Sequence, residues 1–497
     1  MTYHDLTSHY RKLNQLVHVS RIVGWDEAVM MPRGAGDARA DAMATLEGLI
    51  HQGSSDPRIA GWLEAAEAEA LDALQRANLR EIRRVYTRAT ALPQELVEAQ
   101  SRAQLRCEQA WRMQRKENDW EAHLPLLSEV IRLKREEAVI LAEQLGLSPY
   151  DALMDAYEPG MRSERLEGLF TDLAGWLPER VDEIVQRQSQ EKLVRASGPF
   201  DVAQQRALGL ELMAAMGFDF EHGRLDTSHH PFCGGVPSDV RITTRYNEQD
   251  FTESLMGVLH ETGHAKYEQG LPRELDGLPV GQARSMGVHE SQSLFQEMQI
   301  CRGLPFLTFA EPILRRAFTE AARATPAAFE PDNLFRLYTQ VKPGFIRVDA
   351  DEVTYPLHVI LRYRLERSLI ERRLEPRDIP AFWDEAMRRT LGLSTQGNHR
   401  DGCMQDVHWP SGAFGYFPSY TLGALIAAQL YEAAVQALPN LEADIARGEV
   451  APLSGFLAER VWKRASLLET SALIQHATGQ ELGTVAFKRH VQRRYLT

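Results

Sequence analysis

The segment His260-Glu261-Thr262-Gly263-His264 sets two imidazoles four residues apart, with a carboxylate directly after the first. On an α-helix of 3.6 residues per turn both rings project from one face, where they can chelate a single ion. Imidazole suits zinc, which in catalytic sites takes three protein ligands and keeps a water; Glu261 lies where it can accept that water's proton. This is the chemistry of metal-assisted peptide hydrolysis. A third ligand must come from elsewhere. Glu290, in Val288-His289-Glu290-Ser291-Gln292-Ser293, follows His264 by 26 residues. It is preferred because a carboxylate from a second helix completes a two-His, one-Glu set, and His289 is its rival.

Such a motif must ride a helix, and the sequence supplies the ends of one. Asp250 is an N-cap with Glu253 three residues later, and Gly270 and Pro272 terminate. Just before it, Asp239 to Tyr246 alternates apolar or β-branched with polar residues and reads as a strand, preceded by the turn-rich Cys233-Gly234-Gly235-Val236-Pro237. A strand beside the motif helix suits a substrate whose backbone lies along a sheet edge. Three further segments carry polar chemistry. Arg347, within Ile346 to Glu352, sets a guanidinium among acids, which fits either capture of a carboxylate or a structural ion-pair network. Gly402 to Trp409 and Gly415 to Tyr420 gather His408, Tyr416 and Tyr420 in a turn-rich stretch, where they could donate to an oxyanion or pack in the core. His230, in His230-Pro231-Phe232, precedes the strand; a lone histidine is more often structural.

The rest of the chain is dominated by helical periodicity. The runs Trp62 to Val85 and Gln94 to Arg115 space apolar residues three and four apart among charges, the pattern of amphipathic helices. With 497 residues, 44% hydrophobic and 25% charged, the composition is that of a folded globular protein, with a length prior of about three domains. The net charge of −13 (56 basic against 69 acidic residues) offers no basic footprint for nucleic acid. The most apolar stretch, Thr421 to Leu438, is interrupted by Gln429, Glu432 and Gln436 and does not read as a membrane span. Four scattered cysteines without a CxxC pair, and an N-terminus unlike a secretory signal, make the cytoplasm the expected compartment.

Taken in order, His230-Pro231-Phe232, the Asp239/Arg241/Thr243 strand, the His260 to His264 motif, His289-Glu290-Ser291, Ile346 to Asp351 and Gly402 to Trp409 resemble the carboxypeptidase Taq family of zinc metallocarboxypeptidases. Trp25-Asp26 with Met31-Pro32, and Asp151-Ala152-Leu153 with Tyr157-Glu158-Pro159-Gly160-Met161, extend the likeness into the N-terminal half. The resemblance implies a mainly α, single large helical fold over 1–497, with an N-terminal helical part (1–195) and a part carrying the zinc site and substrate groove (196–497). A small β-sheet would lie beside a deep groove holding the metal. It also implies a homodimer, one Zn²⁺ per chain with Co²⁺ as a possible substitute, and release of single C-terminal residues from peptides with broad specificity.

Carried onto this sequence, His260, His264 and Glu290 would hold the metal and Glu261 would be the base. By likeness to related helical zinc peptidases, His408 and Tyr420 would stabilise the oxyanion. Arg347 is the first choice to bind the substrate's free carboxylate and Arg241 the second, with His230 at the substrate end. The same zinc helix also suits a zinc oligopeptidase or a dipeptidyl carboxypeptidase, which differ in where that cation sits. A non-catalytic helical interaction protein keeping the fold is the reading outside enzymes.

Overall fold

The computed structural model describes residues 3–497. Helices make up most of it, and none of those described is long and apolar enough to cross a membrane. The apolar stretch from Thr421 instead falls in the core helix Pro418–Ala437, with Leu422, Leu425, Ile426 and Leu430 buried. The run from Trp62 to Val85 is two helices, Arg58–Glu67 and Ala73–Ala91. The break is set by a reciprocal cap: Asp72 accepts from the Gln75 N–H at 2.8 Å while the Gln75 side chain accepts from the Asp72 N–H at 2.9 Å. The second run lies in the helix Gln94–Glu117, which Asn118 ends in the left-handed region at φ 59°.

The N-terminal helices close around their own small core of Leu6, Tyr10, Leu13, Ile59, Trp62, Leu63 and Ile82. They are fastened to the larger body by polar contacts. Arg284 bonds Glu81 at 2.7 Å, Arg80 donates to the Ser466 carbonyl at 2.8 Å, and Asn78 accepts from the Val280 N–H at 3.3 Å. The main core runs from Cys107 to Tyr495.

The sheet has three strands: β1 (Gly223–Thr227), β2 (Cys233–Val236) and β3 (Asp239–Thr244), in the order β1-β3-β2. β1 runs parallel to β3 and β2 antiparallel to it. The expected strand is therefore present and ends at Thr244, while the stretch read as turn is itself a strand. Its glycines hide it. Gly235 at φ 84° lets the hairpin pass against Asp239, where a Cβ would collide with the backbone carbonyl.

β3 leads into the motif helix, Phe251–Gln269, capped by Asp250, which accepts from the Thr252 N–H at 2.8 Å. Glu253 reaches Arg245 at 3.1 Å and not back to Asp250, so the reciprocal half of the expected cap is absent. The Glu290 helix, Met286–Leu294, is capped by Ser285 and runs without a break into a π-helical turn, Phe295–Cys301. It lies between the motif helix and Pro418–Ala437, at distances only glycine permits. A Cβ on Gly263 would sit 2.5 Å from the Gln292 carbonyl oxygen and 2.6 Å from Ser293 Cα, and one on Gly423 would sit 2.6 Å from Glu290 Cγ. Gly263→Ala and Gly423→Ala should each lower stability by about 1–3 kcal/mol, the usual range for overpacking a filled core. Each should also weaken metal binding, because the Glu290 helix must move. Thermal melts and chelator competition check both effects, and unchanged values would show that the helix yields without cost.

Candidate active-site groove and metal centre

One turn of the motif helix separates His260 from His264, and the Glu290 helix is pressed against that face. As a result one ligand atom from each of His260, His264 and Glu290 lies within 4.8 Å of the others. His264 Nε2 faces Glu290 Oε2 at 3.4 Å. His260 turns its Nδ1 to Glu297 Oε2 at 2.9 Å, leaving Nε2 available. His289 is committed elsewhere: its Nε2 meets Glu268 Oε1 at 2.8 Å, and its ring stacks on His264 with centroids 4.6 Å apart.

The donor set fits a metal dication. Despite burial, Glu297, Glu290 and Glu261 draw the His260 imidazole up to about 10, a concentration of negative charge around two imidazoles that favours a cation. Burial, with the neighbouring His289, pushes His264 down to about 4, the neutral state that a ligating imidazole needs. Glu261 lies in the same groove, 7% exposed, and burial lifts its carboxyl to about 7.

The groove has a volume of about 570 Å³. Opposite the motif helix it is lined by Tyr355, Tyr416 and Tyr420 together with Arg347. Tyr420 reaches it from the first turn of Pro418–Ala437, and His408 Nε2 stands behind the Tyr420 hydroxyl at 3.2 Å. Burial brings His408 down to about 4, so its ring is neutral. Arg347, 4% exposed, directs Nε and Nη2 onto Asp406 Oδ1 at 3.0 and 2.9 Å and donates from Nη1 to the Tyr355 hydroxyl at 2.6 Å. Arg362 takes the other oxygen of Asp406 at 2.7 Å. Burial would raise the Asp406 carboxyl, but the two guanidiniums hold it well below the usual carboxylate range.

The remaining sequence candidates fall outside the groove lining. Arg241 pairs with Asp239 at 2.7 Å and lies 4.3 Å over the Trp25 ring, which Arg224 also approaches, so it joins the sheet to the N-terminal helix. His230 is exposed, its ring against His229, while Pro231, Phe232 and Cys233 line the groove in its place. Sequence reasoning passed over Glu297, Arg302, Tyr355 and Asp406. Only Asp406 lies on a segment already singled out, Gly402 to Trp409; Glu297 and Arg302 follow the Val288 to Ser293 stretch and Tyr355 follows Glu352, where the sequence carries no signal for them. Nothing in spacing connects Arg347 to Asp406, 59 positions on.

The model of the family described as carboxypeptidase Taq (M32) metallopeptidase matches residues 5–495. Thermostable carboxypeptidase 1 of Thermus thermophilus is 39% identical over 99% of this chain and 98% of its own length. Among solved structures, metallocarboxypeptidase 1 of Trypanosoma cruzi superposes with a TM-score of 0.97 at 43% identity, covering 100% of this chain and 99% of that one. The M32 carboxypeptidase of Deinococcus radiodurans gives 0.94 at 34% identity, covering 99% and 98%. With the helical fold, the groove and the clustered ligand atoms in hand, the conclusion is that the chain belongs to the carboxypeptidase Taq (M32) family and is a metallocarboxypeptidase.

Proposed function

We propose that this metallocarboxypeptidase releases single residues from peptide C-termini with broad side-chain tolerance, using one Zn²⁺, or Co²⁺ in its place, held by His260, His264 and Glu290. The observation that carries the reading is the convergence of those three ligand atoms within 4.8 Å in a groove that Glu261, Tyr420 and Arg347 also line. The metal, when bound, supplies Lewis acidity toward a water and the scissile carbonyl.

In this reading Glu261 receives the proton of the attacking water and returns it to the leaving amine, base and then acid in one cycle. Tyr420 donates its hydroxyl to the developing oxyanion. His408 Nε2 hydrogen-bonds the Tyr420 hydroxyl at 3.2 Å, so His408 acts by orienting Tyr420, and in the tautomer with its proton on Nε2 the phenolic proton is free to point into the groove. Arg347 is the cation for the substrate's terminal carboxylate, in preference to Arg241. Two guanidiniums share one Asp406 carboxylate, so that carboxylate neutralises only one of them. The Tyr355 hydroxyl accepts from Arg347 and so keeps its own proton to donate alongside.

Mass spectrometry of products from peptides with free and amidated C-termini tests the reaction directly. The expected result is a ladder of single-residue losses from the free acids only, abolished by chelator; dipeptide or internal products would move the assignment to another zinc peptidase class. Glu261→Gln should keep its metal and lose about 10²–10⁴-fold in kcat, the usual contribution of a general base. A metal-replete variant with full turnover would remove Glu261 from that role. Arg347→Ala leaves Asp406 paired with Arg362 and should cost about 10- to 1,000-fold in kcat/KM on free-acid peptides. An equal loss on amidated peptides would make Arg347 structural.

A further inference from the structure

A histidine that binds a metal through one ring nitrogen is oriented by whatever holds the other. The two motif histidines differ in this respect. His264 Nδ1 is buried without a hydrogen-bond partner, and its ring is placed by packing on His289, which Glu268 holds. His260 Nδ1 is held at 2.9 Å by Glu297 Oε2, and the other oxygen of that carboxylate accepts from Arg302 Nη2 at 2.5 Å. Arg302 is itself anchored, donating from Nη1 to the Tyr338 carbonyl at 3.1 Å. Glu297 is 7% exposed, so its charge is bound on both sides inside the protein. A chain of hydrogen bonds thus leads from a backbone carbonyl through Arg302 and Glu297 to one face of the imidazole.

Where Glu297 sits strengthens the case. It lies on the π-helical turn Phe295–Cys301 that continues the Glu290 helix. A π-turn packs more residues into each turn than an α-helix and is frequently found at functional sites. Here it brings Leu294, Glu297, Met298 and Arg302 together onto the groove wall. One helical rod therefore supplies a carboxylate to the metal cluster at Glu290 and, seven residues on, a carboxylate to the back of His260.

We propose that Glu297, braced by Arg302, is a positioning residue for the metal centre: it fixes His260 with its proton on Nδ1, so that the Nε2 lone pair is presented to the ion. The proposal rests on His260 being a ligand. A glutamine at 297 keeps the volume but turns one of the two acceptor oxygens into an NH2, and since His260 and Arg302 bond different oxygens, one of the two bonds is lost.

The test is metal affinity, measured by chelator competition with Zn²⁺ and Co²⁺, together with the visible absorption spectrum of the Co²⁺ form. The proteins are wild type, Glu297→Gln, Glu297→Leu, His260→Ala and the double variant Glu297→Gln/His260→Ala, each checked for folding by circular dichroism. The expected result is a loss of about 10- to 100-fold in affinity for Glu297→Gln, with an altered Co²⁺ spectrum and a larger loss for Glu297→Leu. In the His260→Ala background the Glu297→Gln change should add nothing. Should Glu297→Leu fail to fold, the isosteric Glu297→Gln still decides. Folded Glu297→Gln protein with wild-type affinity and spectrum would overturn the proposal, as would full additivity with His260→Ala. If His260→Ala itself leaves affinity unchanged, the ligand assignment fails, and the proposal fails with it.

Discussion

The metal site depends on how closely three helices can approach. The Glu290 helix is held between the motif helix and Pro418–Ala437 at two positions, Gly263 and Gly423, where a single methyl group would strike a backbone oxygen, a Cα or the Glu290 side chain itself. Backbone contact of this kind leaves no slack, since protein interiors are packed at the density of organic crystals. It fixes the distance from Glu290 to the histidine pair and, through the same rod, the place of Glu297. On the opposite side of that rod, Pro418–Ala437 sets Tyr420 over the groove, so the His260, His264 and Glu290 cluster, Glu297 and Tyr420 all take their positions from one packing arrangement.

Charge is the second ordering principle. Buried ions are tolerated only where they are paired, and removing one partner of a buried pair typically costs about 3–5 kcal/mol. Along the groove wall Asp406 answers Arg347 and Arg362, and Glu297 answers Arg302. Glu352, also in the groove lining, receives Arg494, His490 and the Tyr495 hydroxyl, and so ties the last turns of the chain to the site. Burial would raise the Glu352 carboxyl, but Arg494 and His490 hold it well below its ordinary range. That pairing therefore stabilises the fold above the ordinary carboxylate value and is lost progressively as pH falls from there through the depressed value in the fold.

Much of this was legible in local sequence. The motif helix, its Asp250 cap and its Gly270 end, and the strand from Asp239 follow from periodicity and turn chemistry, which act within a few residues. Where local signals misled, the cause was also local. The Ala- and Glu-rich stretch after Trp62 favours helix throughout, and only the Asp72–Gln75 cap divides it. β2 is half glycine and reads as turn, because glycine's freedom at φ 84° serves a strand that hugs its neighbour as well as it serves a loop.

The sequence by itself determined the chemistry available: two histidines one helical turn apart, a carboxylate between them, and candidate donors on a handful of segments. Tertiary structure decided which of these meet. It brought Glu290 to the histidine pair and turned His289 away to Glu268. It placed Arg347 in the groove and left Arg241 on the sheet beside Trp25, and it recruited Glu297 and Asp406, which no spacing distinguishes from other acids. The reason is physical. Helical periodicity fixes directions only along one element, whereas a metal centre is a set of distances between elements, and those are fixed by how closely the helices pack and by which buried charges must find partners.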